Sequence, residues 1–139
     1  AIPSAVFPSP NSAPTRVLVV DDSPSVRQIM SKLLKNAGLE FLAAKDGLDA
    51  LEILQAAREL PDVILSDVEM PRMDGYALLA ALRQQPNLRP IPVVMITSRA
   101  GDKHRQKALG LGAADYLSKP FDEALLLDKI NFLSRKTAV

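Results

Sequence analysis

The stretch DVILSDVEMPRMDG, residues 62–75, decides the architecture. An apolar run, Val63-Ile64-Leu65, ends in Ser66 and a lone carboxylate, Asp67. Pro71 and Gly75 then mark a loop, and Asp74 is placed to cap a new helix. A short apolar run of this kind reads as a strand buried on both faces. A carboxylate at the C-terminal tip of such a strand is costly as mere structure, and that edge is where open α/β sheets hold their ligands.

The same pattern repeats on either side. Residues 16–21 (RVLVVD) read as a first strand, followed by Ser23-Pro24 as an N-cap with proline at N1. Val26, Ile29, Met30, Leu33 and Leu34 share one helical face, and Gly38 stops the helix. Residues 39–44 form a second strand. Asp46 caps a helix with Leu48, Leu51 and Leu54 on its inner side, and Pro61 ends the connection to the third strand. A third helix runs from Gly75 to Arg83 and is closed by Pro86 and Pro90. Residues 91–97 are the fourth strand, with Pro92 at its very start because proline cannot donate to a ladder. A helix over Asp102–Leu111, a strand over Ala114–Ser118 and a last helix from the Asp122 cap to Arg135 complete the chain.

Five β-α alternations predict an α/β fold: a five-stranded parallel sheet with helices on both faces, a (βα)5 three-layer sandwich. The strand order 2-1-3-4-5 is the common solution for five strands, and its switch point lies between the first and third. Those strands end in Asp21-Asp22 and Asp67.

The 139 residues suit one domain with a substantial core, and 47% of them are hydrophobic. Aromatics are only 4%, with no Trp, which argues against stacking platforms for single-stranded nucleic acid. A net charge of +1 points to neither nucleic acid nor an anionic membrane. The absence of Cys excludes disulfides and thiolate metal sites. No apolar run approaches the ~20 residues that span a bilayer, and a cytoplasmic location is expected. Residues 1–14 hold four of the eleven prolines and are expected to be a linker or disordered tail, with the folded domain over 15–139.

Three carboxylates thus converge from distant parts of the chain. Two like charges ~4 Å apart repel by about 4 kcal/mol at an effective dielectric near 20. No Lys or Arg lies in the loops immediately beside Asp22 or Asp67 to offset this. A divalent cation, Mg²⁺ or Mn²⁺, suits hard oxygen donors of this kind. The fifth strand brings Lys119 to the same edge and the fourth brings the Thr97 hydroxyl. A carboxylate nucleophile, a metal, a lysine and a hydroxyl together meet the needs of phosphoryl transfer. Ser23, Asp46, Asp74 and Asp122 read simply as helix caps.

From Arg16 to about Arg135 the chain resembles the response-regulator receiver domains, the CheY-like branch of flavodoxin-like folds. VLVVDDS, ILSDVEMPRMDG, VVMITS and YLSKPF carry the resemblance, in that order and spacing. The resemblance implies that Asp67 accepts a phosphoryl group from a phosphohistidine on a histidine kinase or phosphotransfer domain. Asp22, Asp67 and the Glu69 backbone carbonyl would bind Mg²⁺ directly, and Asp21 mostly through a metal-bound water. Lys119, joined to Pro120 by a cis bond, would hold a phosphoryl oxygen, and Thr97 would shift toward the phosphoryl group. Tyr116 would turn inward and reshape the face made by the fourth helix, fifth strand and fifth helix, a surface for a protein partner. DVEMPRMDG and TSRAGDKHR look most like the terminal receiver of a CheA-like hybrid kinase, with a stand-alone receiver as the alternative.

Two places after Asp67 and Thr97 stand Glu69 and Arg99, an acid and a base that could pair across the site mouth and screen attacking water. Lys103, His104, Arg105 and Lys107 on the fourth helix read as a solvated face, the alternative being a docking patch for an acidic partner. Two rival readings use the same residues. One is a Mg²⁺-dependent phosphatase of the haloacid-dehalogenase type, although its nucleophile belongs on the first strand. The other is a phosphate-independent interaction module, against which the full set of site groups argues. The expected function is a signalling module without enzymatic turnover beyond slow self-dephosphorylation.

Overall fold

The computed structural model describes residues 14–99 and 101–135. The expected linker, residues 1–14, lies outside them except for Pro14. The elements alternate as expected: β1 (Arg16–Val20), α1 (Pro24–Asn36), β2 (Glu40–Ala44), α2 (Gly47–Ala56), β3 (Val63–Ser66), α3 (Gly75–Gln84), β4 (Val93–Thr97), α4 (Asp102–Gly110), β5 (Asp115–Ser118) and α5 (Glu123–Arg135). All five strands are parallel and lie in the order β2-β1-β3-β4-β5.

Strand side chains alternate between two cores. Leu18, Val20, Ile64 and Met95 face α2, α3 and α4, where they meet Leu54, Leu78, Leu82 and Ala108. Val17, Val19, Leu65, Val94 and Ile96 face α1 and α5, against Met30, Leu34, Leu126 and Ile130. Each fully buried aliphatic side chain contributes about 1.5–3 kcal/mol, enough to set which face of each strand points where.

The expected caps form. Ser23, Asp46, Asp74 and Asp122 accept from the amides of Val26, Asp49, Ala77 and Leu125 at 3.3, 2.9, 2.8 and 3.1 Å. Gly38, with φ +80°, ends α1 as glycine allows. Two helix faces differ from expectation. Leu48 is exposed, and α2 turns Gly47 and Ala50 inward beside the expected Leu54. Ile29 is 55% exposed, so α1 seats itself on Met30 and Leu34. In both helices the apolar stripe is wider than the contact, and packing chooses part of it.

Ladder hydrogen bonds continue one residue past the strands. The amides of Asp21, Asp67 and Lys119 donate to the carbonyls of Ala44, Val20 and Thr97 at 3.1, 2.9 and 2.8 Å. The register therefore delivers these three side chains to one edge of the sheet.

Candidate functional site

At that edge Asp21, Asp22 and Asp67 each present a carboxylate oxygen, all lying within 4.8 Å of one another. Asp21 is buried, Asp67 half-buried and Asp22 exposed. The Lys119 ammonium bridges two of them, donating to Asp21 Oδ2 at 2.8 Å and to Asp67 Oδ2 at 3.2 Å. Burial pulls the Lys119 pKa down, but its bonds and charge contacts, first with Asp21 and then with Asp67, outweigh this and raise it. The two remaining oxygens accept backbone amides, Asp21 Oδ1 from Ser23 at 2.9 Å and Asp67 Oδ1 from Val68 at 2.6 Å.

The charges in direct contact do not balance. Three carboxylates against one ammonium leave two negative charges, the complement of a divalent cation. The donors are all hard oxygens with no sulfur or imidazole among them, which suits Mg²⁺ or Mn²⁺. Of the expected residues, Asp21, Asp22, Asp67 and Lys119 are thus brought together, with Lys119 already answering part of the repulsion. The Lys119–Pro120 bond is cis.

Thr97 is fully buried, and its Oγ1 accepts from the Arg99 amide at 3.2 Å. A hydroxyl has two acceptor lone pairs and one donor, so its proton still serves another acceptor. Tyr116, expected to turn inward on phosphorylation, is already buried here, and its hydroxyl donates to the Arg99 carbonyl. The Arg99 guanidinium makes a fork with the Glu69 carboxylate, Nε to Oε1 at 2.7 Å and Nη2 to Oε2 at 3.0 Å. This is the acid–base pair expected at the mouth. The Arg99 bond holds the Glu69 carboxyl below its ordinary pKa.

Three arginines make contacts that the sequence does not foretell. Arg27, on the first turn of α1, donates to the Asp21 carbonyl at 2.7 Å. Its place one turn beyond Asp21-Asp22 was the signal. Arg105, read as part of a solvated face, donates to the Tyr116 carbonyl at 3.2 Å and lies 3.7 Å from Asp115, which also pairs with Lys129. Arg72 forks onto Asp46, a residue read only as a cap. Nothing in the local sequence links positions so far apart.

Comparison with known proteins agrees with this geometry. The family model "Response regulator receiver domain" matches residues 17–131. The chain is 38% identical over 105 residues to the sensor histidine kinase CheAY of Helicobacter pylori, covering 76% of this chain and 13% of that protein. It is 42% identical over 120 residues to the response regulator PleD of Caulobacter vibrioides, covering 86% of this chain and 26% of that one. The chain thus corresponds to a minor part of either relative's length. A receiver domain of a sensor histidine kinase from Pseudomonas aeruginosa, solved with a magnesium ion coordinated in its active-site cleft, superposes with a TM-score of 0.79 at 30% identity, covering 88% of this chain and 98% of that one. An acidic pocket at the switch point of a 2-1-3-4-5 sheet, beside a lysine and a buried threonine, joins with these matches to one conclusion. The chain belongs to the response-regulator receiver domains, the phosphoacceptor modules of two-component signalling.

Proposed function

We propose that Asp67 is the phosphoacceptor, taking its phosphoryl group from a phosphohistidine on a histidine kinase or phosphotransfer domain. The observation that carries this is the convergence of Asp67 with Asp21, Asp22 and Lys119 at one strand edge. An Asp67 carboxylate oxygen forms the new bond to phosphorus. The phosphorus–nitrogen bond of the donor breaks, and its electron pair stays on the imidazole. Asp21, Asp22, Asp67 and the Glu69 backbone carbonyl would hold Mg²⁺ or Mn²⁺. When bound, the metal supplies neutralisation of the phosphoryl oxygens. Lys119 would hold a phosphoryl oxygen.

The response is a two-state equilibrium. Moving a population from 1:99 to 99:1 takes about 5.5 kcal/mol of differential stabilisation. Thr97 contributes by turning its hydroxyl proton to a phosphoryl oxygen, and Lys119 by a charge-assisted bond. Thr97 and Tyr116 both bond Arg99, so a shift of Thr97 reaches the α4-β5-α5 face through that residue. That face is where a protein partner reads the state. Location at the end of the third strand, not the first, supports a signalling module over a phosphatase of small phosphomonoesters.

The test is incubation with acetyl phosphate and Mg²⁺, followed by intact mass and amide NMR. One phosphoryl group per chain is expected, lost in Asp67→Asn. Labelling of Asp67→Asn at the wild-type level would refute the assignment, and catalytic turnover of small phosphomonoesters would favour the phosphatase.

A further inference from the structure

We propose that Asp46 and Arg72 are positioning residues for the metal site, their ion pair holding the β3–α3 loop so that the Glu69 carbonyl and the Asp67 carboxylate converge. This rests on the metal-site reading above and extends it to residues outside the acidic cluster.

The loop from Asp67 to Asp74 is held at several points, the Glu69 side chain by the Arg99 fork, and two further anchors flank Glu69. At one, the Gly75 amide donates to the Val68 carbonyl at 2.8 Å. At the other, the Arg72 guanidinium meets Asp46 as a fork, Nε to Oδ2 at 2.7 Å and Nη2 to Oδ1 at 3.0 Å. Glu69 lies between them. Arg72 has φ +64°, a left-handed backbone that a side-chain-bearing residue adopts only where its surroundings impose it. Those surroundings are specific. The Asp46 side chain is only 2% exposed, and its Oδ1 also caps α2 through the Asp49 amide. It is therefore a fixed post, not a mobile surface acid.

The backbone beside Arg72 docks on the same turn. The Gly47 amide donates to the Met73 carbonyl at 3.0 Å. A Cβ at Gly47 would fall 2.5 Å from Met73 Cγ and 2.9 Å from Met73 O, so the loop sits as close to α2 as glycine permits. The Arg72 bond also keeps the Asp46 carboxyl below its ordinary pKa, and the pair stays ionised at neutral pH. A flexible loop would have to be ordered each time its carbonyl was needed as a ligand. A loop docked at Arg72 and Met73 is ordered beforehand.

The decisive variant is Arg72→Gly. Glycine accepts φ +64° without strain, so this change removes the guanidinium while relieving the backbone. Asp46→Asn keeps an acceptor for the α2 cap and gives up the charge. Arg72→Lys keeps a charge without the fork. Mg²⁺ affinity is measured on the full chain by calorimetry and amide NMR, beside thermal unfolding and hydrogen exchange of the Gly47 amide in metal-free protein. Arg72→Gly and Asp46→Asn should each weaken Mg²⁺ binding about tenfold, with Arg72→Lys in between and the double variant no worse than either single. The Gly47 amide should exchange faster in Arg72→Gly. Wild-type Mg²⁺ affinity in folded Arg72→Gly, whatever its melting temperature, would overturn the proposal. Failure of the folded wild type to bind Mg²⁺ would instead overturn the metal-site reading, and this inference with it.

Discussion

Gly75→Ala tests whether the start of α3 is packed against the phosphorylation site. An added Cβ would lie 2.2 Å from the Asp67 carbonyl oxygen, 3.0 Å from Val68 Cα and 3.2 Å from the Asp67 carbonyl carbon. Ordinary carbon–oxygen contacts begin near 3.3 Å, so the two backbones must part by about 1 Å. The three nearest atoms are all main chain, and no rotamer change moves them. Overpacking of this kind costs about 1–3 kcal/mol, and loss of the Gly75–Val68 hydrogen bond adds about 1 kcal/mol. At roughly 4 °C per kcal/mol, the melting temperature should fall by about 8–16 °C. The peptide that moves is that of Asp67, so labelling by acetyl phosphate should fall as well, at a temperature where the variant remains folded. Gly38→Ala is the control. No heavy atom lies within 4 Å of its Cβ, and its φ of +80° exacts only torsional strain of about 1–2 kcal/mol at the opposite edge of the sheet. It should melt lower yet label normally. A Gly75→Ala protein that melts within about 2 °C of wild type and labels at its rate would refute the reasoning.

Other expectations follow from single contacts. The Tyr76 hydroxyl is buried and makes no hydrogen bond among the described residues, while Lys107 lies 4.3 Å from the ring centroid. Tyr76→Phe should therefore be neutral or stabilising by up to about 1 kcal/mol in urea unfolding, and a clear loss would show a partner for the oxygen. The Glu69–Arg99 fork should slow water attack on the acyl phosphate. Glu69→Ala and Arg99→Ala should each lose the phosphoryl group severalfold faster than wild type after acetyl phosphate is removed, and equal decay rates would end the idea. The bond to Arg72, against the opposing effect of burial, lowers the Asp46 pKa from 3.8. The stability it contributes is complete above the unfolded value and is lost as pH falls through the lower, folded one. Acid titration of unfolding should be shallower in Asp46→Asn below about pH 4, and superimposable curves would contradict this.

The strands were legible because burial on both faces leaves a run of Val, Ile and Leu that few other structures tolerate, as in Val17–Val20 and Val63–Leu65. The site edge is legible because Asp21 and Asp67 each follow such a run, while Lys119 follows the shorter, partly buried β5. Legibility failed where the partner is remote. The contact between Asp46 and Arg72 joins residues 26 apart in sequence through a backbone conformation that no propensity favours for arginine. Leu48 and Ile29 depart from the inward placement that periodicity predicts, because it locates a stripe but not the width of the surface that will cover it. Lys119 was placed at the right edge, yet its role in bridging Asp21 and Asp67 depends on side-chain reach, which register alone does not specify.

Arg99 joins three elements through one residue. Its amide meets Thr97, its carbonyl receives Tyr116, and its guanidinium grips Glu69. These tethers leave from the two peptide units that flank one α-carbon and from its side chain, so the end of β4 would move as a lever. Halfway positions would sacrifice several bonds at once without forming new ones. In the proposed switch each molecule would be either thrown or at rest, and a graded stimulus would register as a headcount of thrown levers across the population.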